Sequence, residues 1–382
     1  MFSNKELINI RRKLHQHPEI GLKEKWTHNF LIKKIKNMDS QNISIKVIKE
    51  VPTAILIRIK GYNPKKTIAW RSDMDALPIH EETNLSFASL YNNAMHACGH
   101  DIHMTIALGI LDYFSENQPQ DNLLIFFQPA EENNFGGKRF FDAGGFGNEY
   151  YPDEFYALHI NPQLLPGQIG FRSGTLCAGS NELRVSFIGK AGHAAYPQKA
   201  NDALLSASNF VVSLQSVISR NLNPLEGGVV TIGKFESGKI MNIISGQTNL
   251  EGTIRSFTQN GMQIMTKHIQ QIAEGIAKSF GQKLKINFRQ GGYLPVVNNS
   301  ELSHFFINFI KKNQQADFKL VKPSMIAEDF GFLTNKFKGL MFWLGVGDYK
   351  HTLHSANLNP NEQSICRGLR IIISFLKARM KK

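Results

Sequence analysis

Cysteine is nearly missing from this 382-residue sequence, and the three that occur, Cys98, Cys177 and Cys366, are odd in number and far apart. That spacing argues against a disulfide framework and points to a reducing compartment with free thiols. Long apolar runs are missing too, so no segment reaches the roughly 20 residues of a membrane span. The opening stretch, Met1 to Gln16, is amphipathic rather than an apolar signal core, and a cytoplasmic protein without a membrane partner is expected. Acidic residues are in deficit, with 31 against 44 Lys and Arg, which leaves a formal charge of +13. A surplus of that size attracts nucleic acid, anionic membrane or an acidic small substrate. The lysines are scattered through Lys33, Lys34, Lys36, Lys65 and Lys66 rather than gathered in one block, and no reader motif accompanies them, so nucleic acid is not an expected partner. A Gly-x-Ser-x-Gly elbow, a phosphate-cradling loop, a dinucleotide fingerprint and internal repeats are all lacking.

What is present is concentrated in Met95-His-Ala-Cys-Gly-His-Asp-Ile-His-Met-Thr105. His96, Cys98, His100, Asp101 and His103 are all metal-binding residue types, and Gly99 lets the chain turn so that Cys98 and His100 converge. A histidine-rich surface loop without a ligand is the alternative reading of this stretch alone.

The rest of the chain reads as α/β. Ser3 caps a helix with Leu7, Ile10 and Leu14 on one face, Pro18 interrupts it, and a second helix carries Trp26, Phe30, Leu31 and Ile35. Strands are expected at 43–48, 53–59 and 67–70, the last running into Asp73-Met-Asp75. On an extended backbone those two aspartates share a face. A buried helix is expected from Thr105 to Phe114. The apolar strand from Asn122 then ends in Gln128-Pro-Ala-Glu-Glu132, where extended backbone would point Glu131 and Glu132 to opposite sides. Another strand, Phe155 to Ile160, carries His159, and the strand Leu340 to Val346 is followed by His354. In open α/β sheets ligands bind at the C-terminal ends of the strands, where these residues fall. Between them, residues 179–289 follow the order βαββαβ, a ferredoxin-like insert, with residues 1–178 and 290–382 forming the catalytic domain on either side. Asn359 or Asn361 caps the closing helix.

Cys98, His100, Glu132, His159 and His354 together exceed what one tetrahedral ion needs and suit two adjacent divalent ions. Glu131, beside Glu132, can then take a proton from water and return it to a leaving amine. A thiol nucleophile at Cys98 is the competing reading, and a non-catalytic binding protein on the same scaffold is a more distant one.

In order along the chain occur Arg12-Lys-Leu-His-Gln-His-Pro-Glu19, Asp73-Met-Asp75, His96-Ala-Cys-Gly-His-Asp101, Gln128-Pro-Ala-Glu-Glu132, Gly192-His-Ala-Ala-Tyr-Pro197, Glu328-Asp-Phe330 and His354. This series resembles the amidohydrolase branch of the dinuclear metallopeptidase family that includes aminoacylases, hippurate hydrolase and auxin-conjugate hydrolases. The resemblance implies a phosphorylase/hydrolase-like α/β catalytic domain, with a central mixed sheet and helices on both faces, and an inserted lid that dimerises. It also implies an N-acyl amino acid substrate and two divalent ions (Mn, Co, Ni or Zn), bridged by Cys98 and completed by His100, Glu132, His159 and His354. Glu131 matches the general base, and Asp75, with Asp73, a carboxylate that orients a ligand histidine. His193 matches a lid histidine that stabilises the oxyanion, and Asn242 and Arg255 match lid positions that bind substrate carboxylate or oxyanion. Two positions depart from the pattern: Ala191 stands where Gly-Gly-His is usual, and Asn133-Asn-Phe135 replaces Gly-Pro after the paired glutamates.

Overall fold

The computed structural model describes residues 1–38, 41–313 and 316–381. Its contacts divide the chain into two compact units: Met1–Leu176 with Val296–Lys322 and Phe332–Lys382, and Cys177–Pro295 with Pro323–Gly331. The second unit therefore takes in a segment that sequence alone gives to the returning catalytic part. Two contacts explain it. Ala178 donates its N–H to the Ser324 carbonyl at 2.9 Å. At Gly331 a Cβ would stand 1.9 Å from the Leu294 carbonyl oxygen, so only glycine allows that approach.

In the first unit the described residues form an eight-stranded mixed sheet. Its order is Ile43–Ile48, Val51–Ile59, Asn122–Gln128, Thr67–Asp73, Glu154–Asn161, Lys338–Gly345, Ile169–Phe171 and Phe318–Leu320. The four central strands are mutually parallel, while the strands beside them pair antiparallel. Side chains alternate across a strand, and Asn122–Gln128 shows both faces filled. Leu123, Ile125 and Phe127 join the core made with helices Asn4–His15, Lys25–Lys36, His100–Glu116 and Gln363–Met380. Phe126 points the other way, its ring 4.6 Å from Phe140 on helix Gly136–Asp142 and 5.1 Å from Phe146. The short strands Ile169–Phe171 and Phe318–Leu320 carry too few residues for a period to be read from sequence.

Ser3 caps the first helix in a reciprocal box with Glu6. The last helix begins at Gln363 with Glu362 at its cap position, and Asn361 Oδ1 accepts the Gln363 N–H at 3.0 Å. The second unit is a four-stranded antiparallel sheet in the order Gly228–Ser237, Gln247–Ser256, Gly179–Ile188, Lys283–Arg289. Helices Ala203–Asn221 and Gln259–Ser279 cover it through Phe210, Leu214, Met265 and Ile269. Among the described residues no helix is long and apolar enough to cross a membrane.

One buried ion pair ties the sheet to the last helix. Arg379 donates to both oxygens of Glu154, at 2.8 and 2.5 Å, and the Tyr156 hydroxyl adds a bond of 2.6 Å. Burial works against ionisation of Glu154, but the guanidinium and the hydroxyl outweigh it and hold the carboxyl below its usual range. A depressed carboxylate contributes stability above its unfolded pKa of about 4.3, and loses it as the pH falls through the lower folded value. Glu154→Gln is therefore expected to cost about 3 kcal/mol at neutral pH. The gap from the wild type should narrow below about pH 4, as read from denaturant midpoints across a pH series.

Candidate metal centre

The C-terminal ends of the four parallel strands gather the chemistry. Asp73 closes one strand, and Gln128 closes the next and leads into Pro129-Ala-Glu-Glu132. His159 lies near the end of the third, in register with Trp343 on the fourth, whose continuation carries His354. Helix His100–Glu116 starts five residues earlier than its apolar pattern suggests, which places His100 and His103 on its first turn. Gly99 precedes it at φ 77°, and a Cβ there would lie 2.2 Å from Ile160 Cδ1. The turn between Cys98 and His100 thus needs glycine for its conformation and for its space.

Hydrogen bonds settle which ring nitrogens face inward. His100 Nδ1 donates to the Asp75 carbonyl at 2.8 Å, and His159 Nδ1 donates to the Ile160 carbonyl at 2.9 Å. A carbonyl only accepts, so Nδ1 of both rings carries a proton and Nε2 is the nitrogen turned to the site. His159 Nε2 lies 3.3 Å from Cys98 Sγ. Donor atoms of Cys98, His100 and His159 lie within 4.8 Å of one another, and so do those of Cys98, Glu132 and His354. The two triads share the thiol. Glu131 joins His100 and Glu132 in a third group of the same size. Asp73, His100 and His103 also cluster, but both nitrogens of His103 are engaged, Nδ1 with Asp73 Oδ1 at 2.5 Å and Nε2 with the Ile160 N–H at 3.0 Å. His103 is therefore a support rather than a donor.

The donor set fits divalent cations. His100 Nε2 and Glu132 Oε1 are buried without a hydrogen-bond partner, an arrangement that costs free energy unless something binds there. Burial disfavours a charged His100, yet Asp73 and the Asp75 contacts outweigh it and raise its pKa to about 10. The negative potential that holds a proton on an imidazole also attracts a metal ion. Burial, followed by the Glu132, Glu131 and Asp73 carboxylates, pushes the Cys98 thiol well up. Glu132 is lowered despite its burial, by His354 and His100. His354 itself sits at φ 67°, 3.5 Å from Glu132 Oε1, with its N–H anchored on the Ala97 carbonyl at 2.9 Å.

Two local expectations change. Asp73 and Asp75 do not share a strand face, because the strand ends at Asp73, yet both carboxylates flank His100, Asp73 Oδ2 at 3.5 Å from Nε2 and Asp75 Oδ1 at 3.6 Å from Nδ1. Asp73 receives Arg71 Nη1 at 2.6 Å and faces His103, whereas the Asp75 carboxylate accepts the N–H groups of Glu131 and Glu132, each at 3.0 Å. The Asp75 backbone carbonyl accepts the His100 hydrogen bond. Glu131 and Glu132 are not on extended backbone either, since Ala130 turns left-handed at φ 54° and places them in a turn. Asp101 lies behind the site, ion-paired with Arg11 Nε and hydrogen-bonded to His15 Nδ1, each at 2.8 Å. Arg71, two residues before Asp73 on the same strand face, was legible from that spacing; Glu24, whose Oε1 accepts the Ala130 N–H at 2.9 Å, carried no sequence signal.

His193, Asn242 and Arg255 lie on the second unit. His193 pairs with Ile243 in a two-residue ladder, and the Asn242 carbonyl accepts the Ala194 N–H at 3.0 Å, so these two are neighbours. Arg255 lies between Ser180 and Val229 in the four-stranded sheet, its pKa lowered by burial.

A parallel sheet with metal-type donors and a paired glutamate at its C-terminal edge defines a metallohydrolase scaffold. Residues 69–378 match peptidase family M20/M25/M40, and the chain belongs to that family. It is 65% identical over 382 residues, all of both chains, to N-acetyldiaminopimelate deacetylase of Oenococcus oeni. To the enzyme of the same name in Lactobacillus helveticus it is 54% identical, covering 100% of this chain and 99% of that one. Among solved structures it is similar to the Bacillus subtilis YXEP protein, a dinuclear metal-binding peptidase from the M20 family. There the TM-score is 0.85 at 27% identity, covering 99% of this chain and 98% of the other. A tripeptidase from Staphylococcus aureus shares the fold at TM-score 0.76 and 17% identity over the whole of both chains.

The Gly99 turn gives a direct check. Gly99→Ala should lower stability by about 2 kcal/mol, because an L-residue is strained at that φ and its Cβ collides with Ile160. A variant with an unchanged melting temperature would contradict this account of the turn.

Proposed function

We propose that the protein is a metal-dependent amide hydrolase that deacetylates N-acetyl-LL-2,6-diaminopimelate, giving acetate and LL-2,6-diaminopimelate in lysine biosynthesis. Glu131 beside the two donor triads supports the reaction class, and full-length identity of 65% to a deacetylase of that name supports the substrate. Cys98, His100, Glu132, His159 and His354 would hold two divalent ions (Mn, Co, Ni or Zn), with Cys98 common to both. When bound, such ions supply Lewis acidity toward the amide carbonyl. Glu131 takes the proton from the attacking water as the new C–O bond forms, and gives it to the amine as the C–N bond breaks. Asp75 keeps Glu131 and Glu132 in place through their backbone N–H groups, and Asp73 orients His103. His193 donates to the oxyanion, and Asn242 and Arg255 receive the substrate's carboxylate. The buried free thiols suit the reducing cytoplasm.

A substrate panel headed by N-acetyl-LL-2,6-diaminopimelate, with hippurate, N-acetylated amino acids and dipeptides beside it, tests the reading. That compound should be turned over with the highest kcat/KM, Glu131→Gln should lose at least ~1,000-fold in kcat while keeping its metal, and chelation should abolish turnover. Preference for hippurate or a dipeptide would overturn the substrate, and activity surviving chelation would overturn the mechanism.

We further propose a homodimer through the second unit. The strand Gly228–Ser237 is an edge of its sheet, and Val229, Phe235, Leu204, Leu205 and Val212 are exposed on that strand and on helix Ala203–Asn221. An unpaired edge with exposed apolar side chains favours association with a second strand. Val212→Glu combined with Leu205→Glu should shift the mass in light scattering from dimer to monomer; a wild-type monomer would remove the proposal.

A further inference from the structure

The segment Leu14-His-Gln-His-Pro-Glu19 contributes none of the metal-type donors, and the hydrogen bonds around it suggest another use. Glu19 accepts the N–H groups of Trp26 and Thr27, at 3.1 and 2.8 Å, and the Thr27 hydroxyl at 3.0 Å. It thereby satisfies the start of helix Lys25–Lys36, a task that usually falls to the cap residue. The cap residue here is Glu24, and its side chain makes no capping bond. Relieved of that task, Glu24 is fully buried, and its Oε1 accepts the Ala130 N–H at 2.9 Å. The loop reaches this position because residue 21 is glycine: a Cβ there would lie 2.9 Å from Ala130 Cα and 2.6 Å from Asn133 Oδ1.

Ala130 is a non-glycine residue at φ 54°, and it immediately precedes Glu131. Three consecutive N–H groups in this turn are held by two carboxylates: Ala130 by Glu24, and Glu131 and Glu132 by Asp75. Successive N–H groups around a left-handed residue form a concave site for negative oxygen, and here the protein fills it with its own side chains. A left-handed alanine persists only when its surroundings hold it there. Asp75 holds the far side of the turn, and Glu24 holds the residue where the strain sits.

We propose that Glu24 is a positioning residue for Glu131, fixing the direction of the general base by holding the Ala130 N–H. This rests on the role given to Glu131 above. Reach matters here rather than charge. Glutamine keeps an acceptor oxygen at the same distance, whereas aspartate keeps the charge but is one methylene too short.

The experiment compares Glu24→Asp and Glu24→Gln in the full-length, metal-loaded protein. Glu24→Asp should lower kcat ~10- to 100-fold with KM within about 3-fold and metal content unchanged, and Glu24→Gln should recover kcat to within about 3-fold of wild type. Amide exchange, measured without substrate, should accelerate at least ~10-fold at Ala130 in Glu24→Asp and not in Glu24→Gln. Equal losses in both variants, or an unchanged exchange rate in Glu24→Asp, would overturn the proposal. Exchange needs no turnover, so a wrong substrate assignment leaves this outcome readable. If another N-acyl amino acid proves to be the better substrate, the kinetic comparison is made on it.

Discussion

Cys98, His100 and His159 are 6%, 0% and 4% exposed, so none can carry charge or offer a lone pair without a compensating partner beside it. Most of the site's architecture answers that constraint. Backbone carbonyls at Asp75 and Ile160 fix the protons of the two imidazoles on the side away from the site. Asp73 is buried too, and Arg71, His100 and His103 outweigh that burial and hold its carboxyl well below the usual range. Arg71 in turn gives its Nε–H to Gln128 at 3.1 Å, on the neighbouring strand. Asp73 and Arg71 are thereby bonded across elements, Asp73 to His103 and Arg71 to Gln128, and loss of one partner would strand the next. His100 Nε2 and Glu132 Oε1 stand outside this scheme, and they border the same space.

The second demand is directional. Parallel strands deliver residues to a common edge, but an extended chain leaves that edge along its own axis. Here the chain turns back at left-handed residues: Gly99 at φ 77°, Ala130 at φ 54° and His354 at φ 67°. Glycine takes that conformation freely, whereas each of the other two costs about 1–2 kcal/mol. Both are pinned through their N–H, Ala130 by Glu24 and His354 by the Ala97 carbonyl. Precision at the site therefore depends on tertiary bonds to segments remote in sequence.

That dependence explains what the sequence could and could not reveal. Cys98, His100, Glu132, His159 and His354 were legible as candidates because each lies near or beyond the end of an apolar strand or flanks a glycine, and a strand pattern is local. Burial on both faces made the central strands continuous apolar runs, so the parallel sheet was legible as well. Roles made by backbone atoms were not: nothing in Asp75 as a residue type says that its carbonyl would take His100 while its carboxylate took two N–H groups. Glu24 sits among Lys23, Lys25 and Trp26 at the start of a helix, where a glutamate ordinarily faces water. Pro323–Gly331 joined the second unit through contacts made nearly 150 residues away, at Ala178, which no local period encodes.

Helix direction introduces a conflict that the side chains resolve. His100 begins a 17-residue helix, whose N-terminus carries a partial positive charge and so repels a cation while favouring a thiolate at Cys98. Burial of the thiol, together with the negative charge of Glu132, Glu131 and Asp73, reverses the preference for a thiolate and raises Cys98, and the same carboxylates favour a cation. Asp101, in the first turn, cannot contribute much because Arg11 and His15 already neutralise it. In the proposed two-ion reading the thiol would ionise only as a cation takes the place of its proton, since a metal ligand must be deprotonated to bind. On that reading a site so balanced would favour the loaded state, because neither the empty thiolate nor an uncompensated ion is favourable alone.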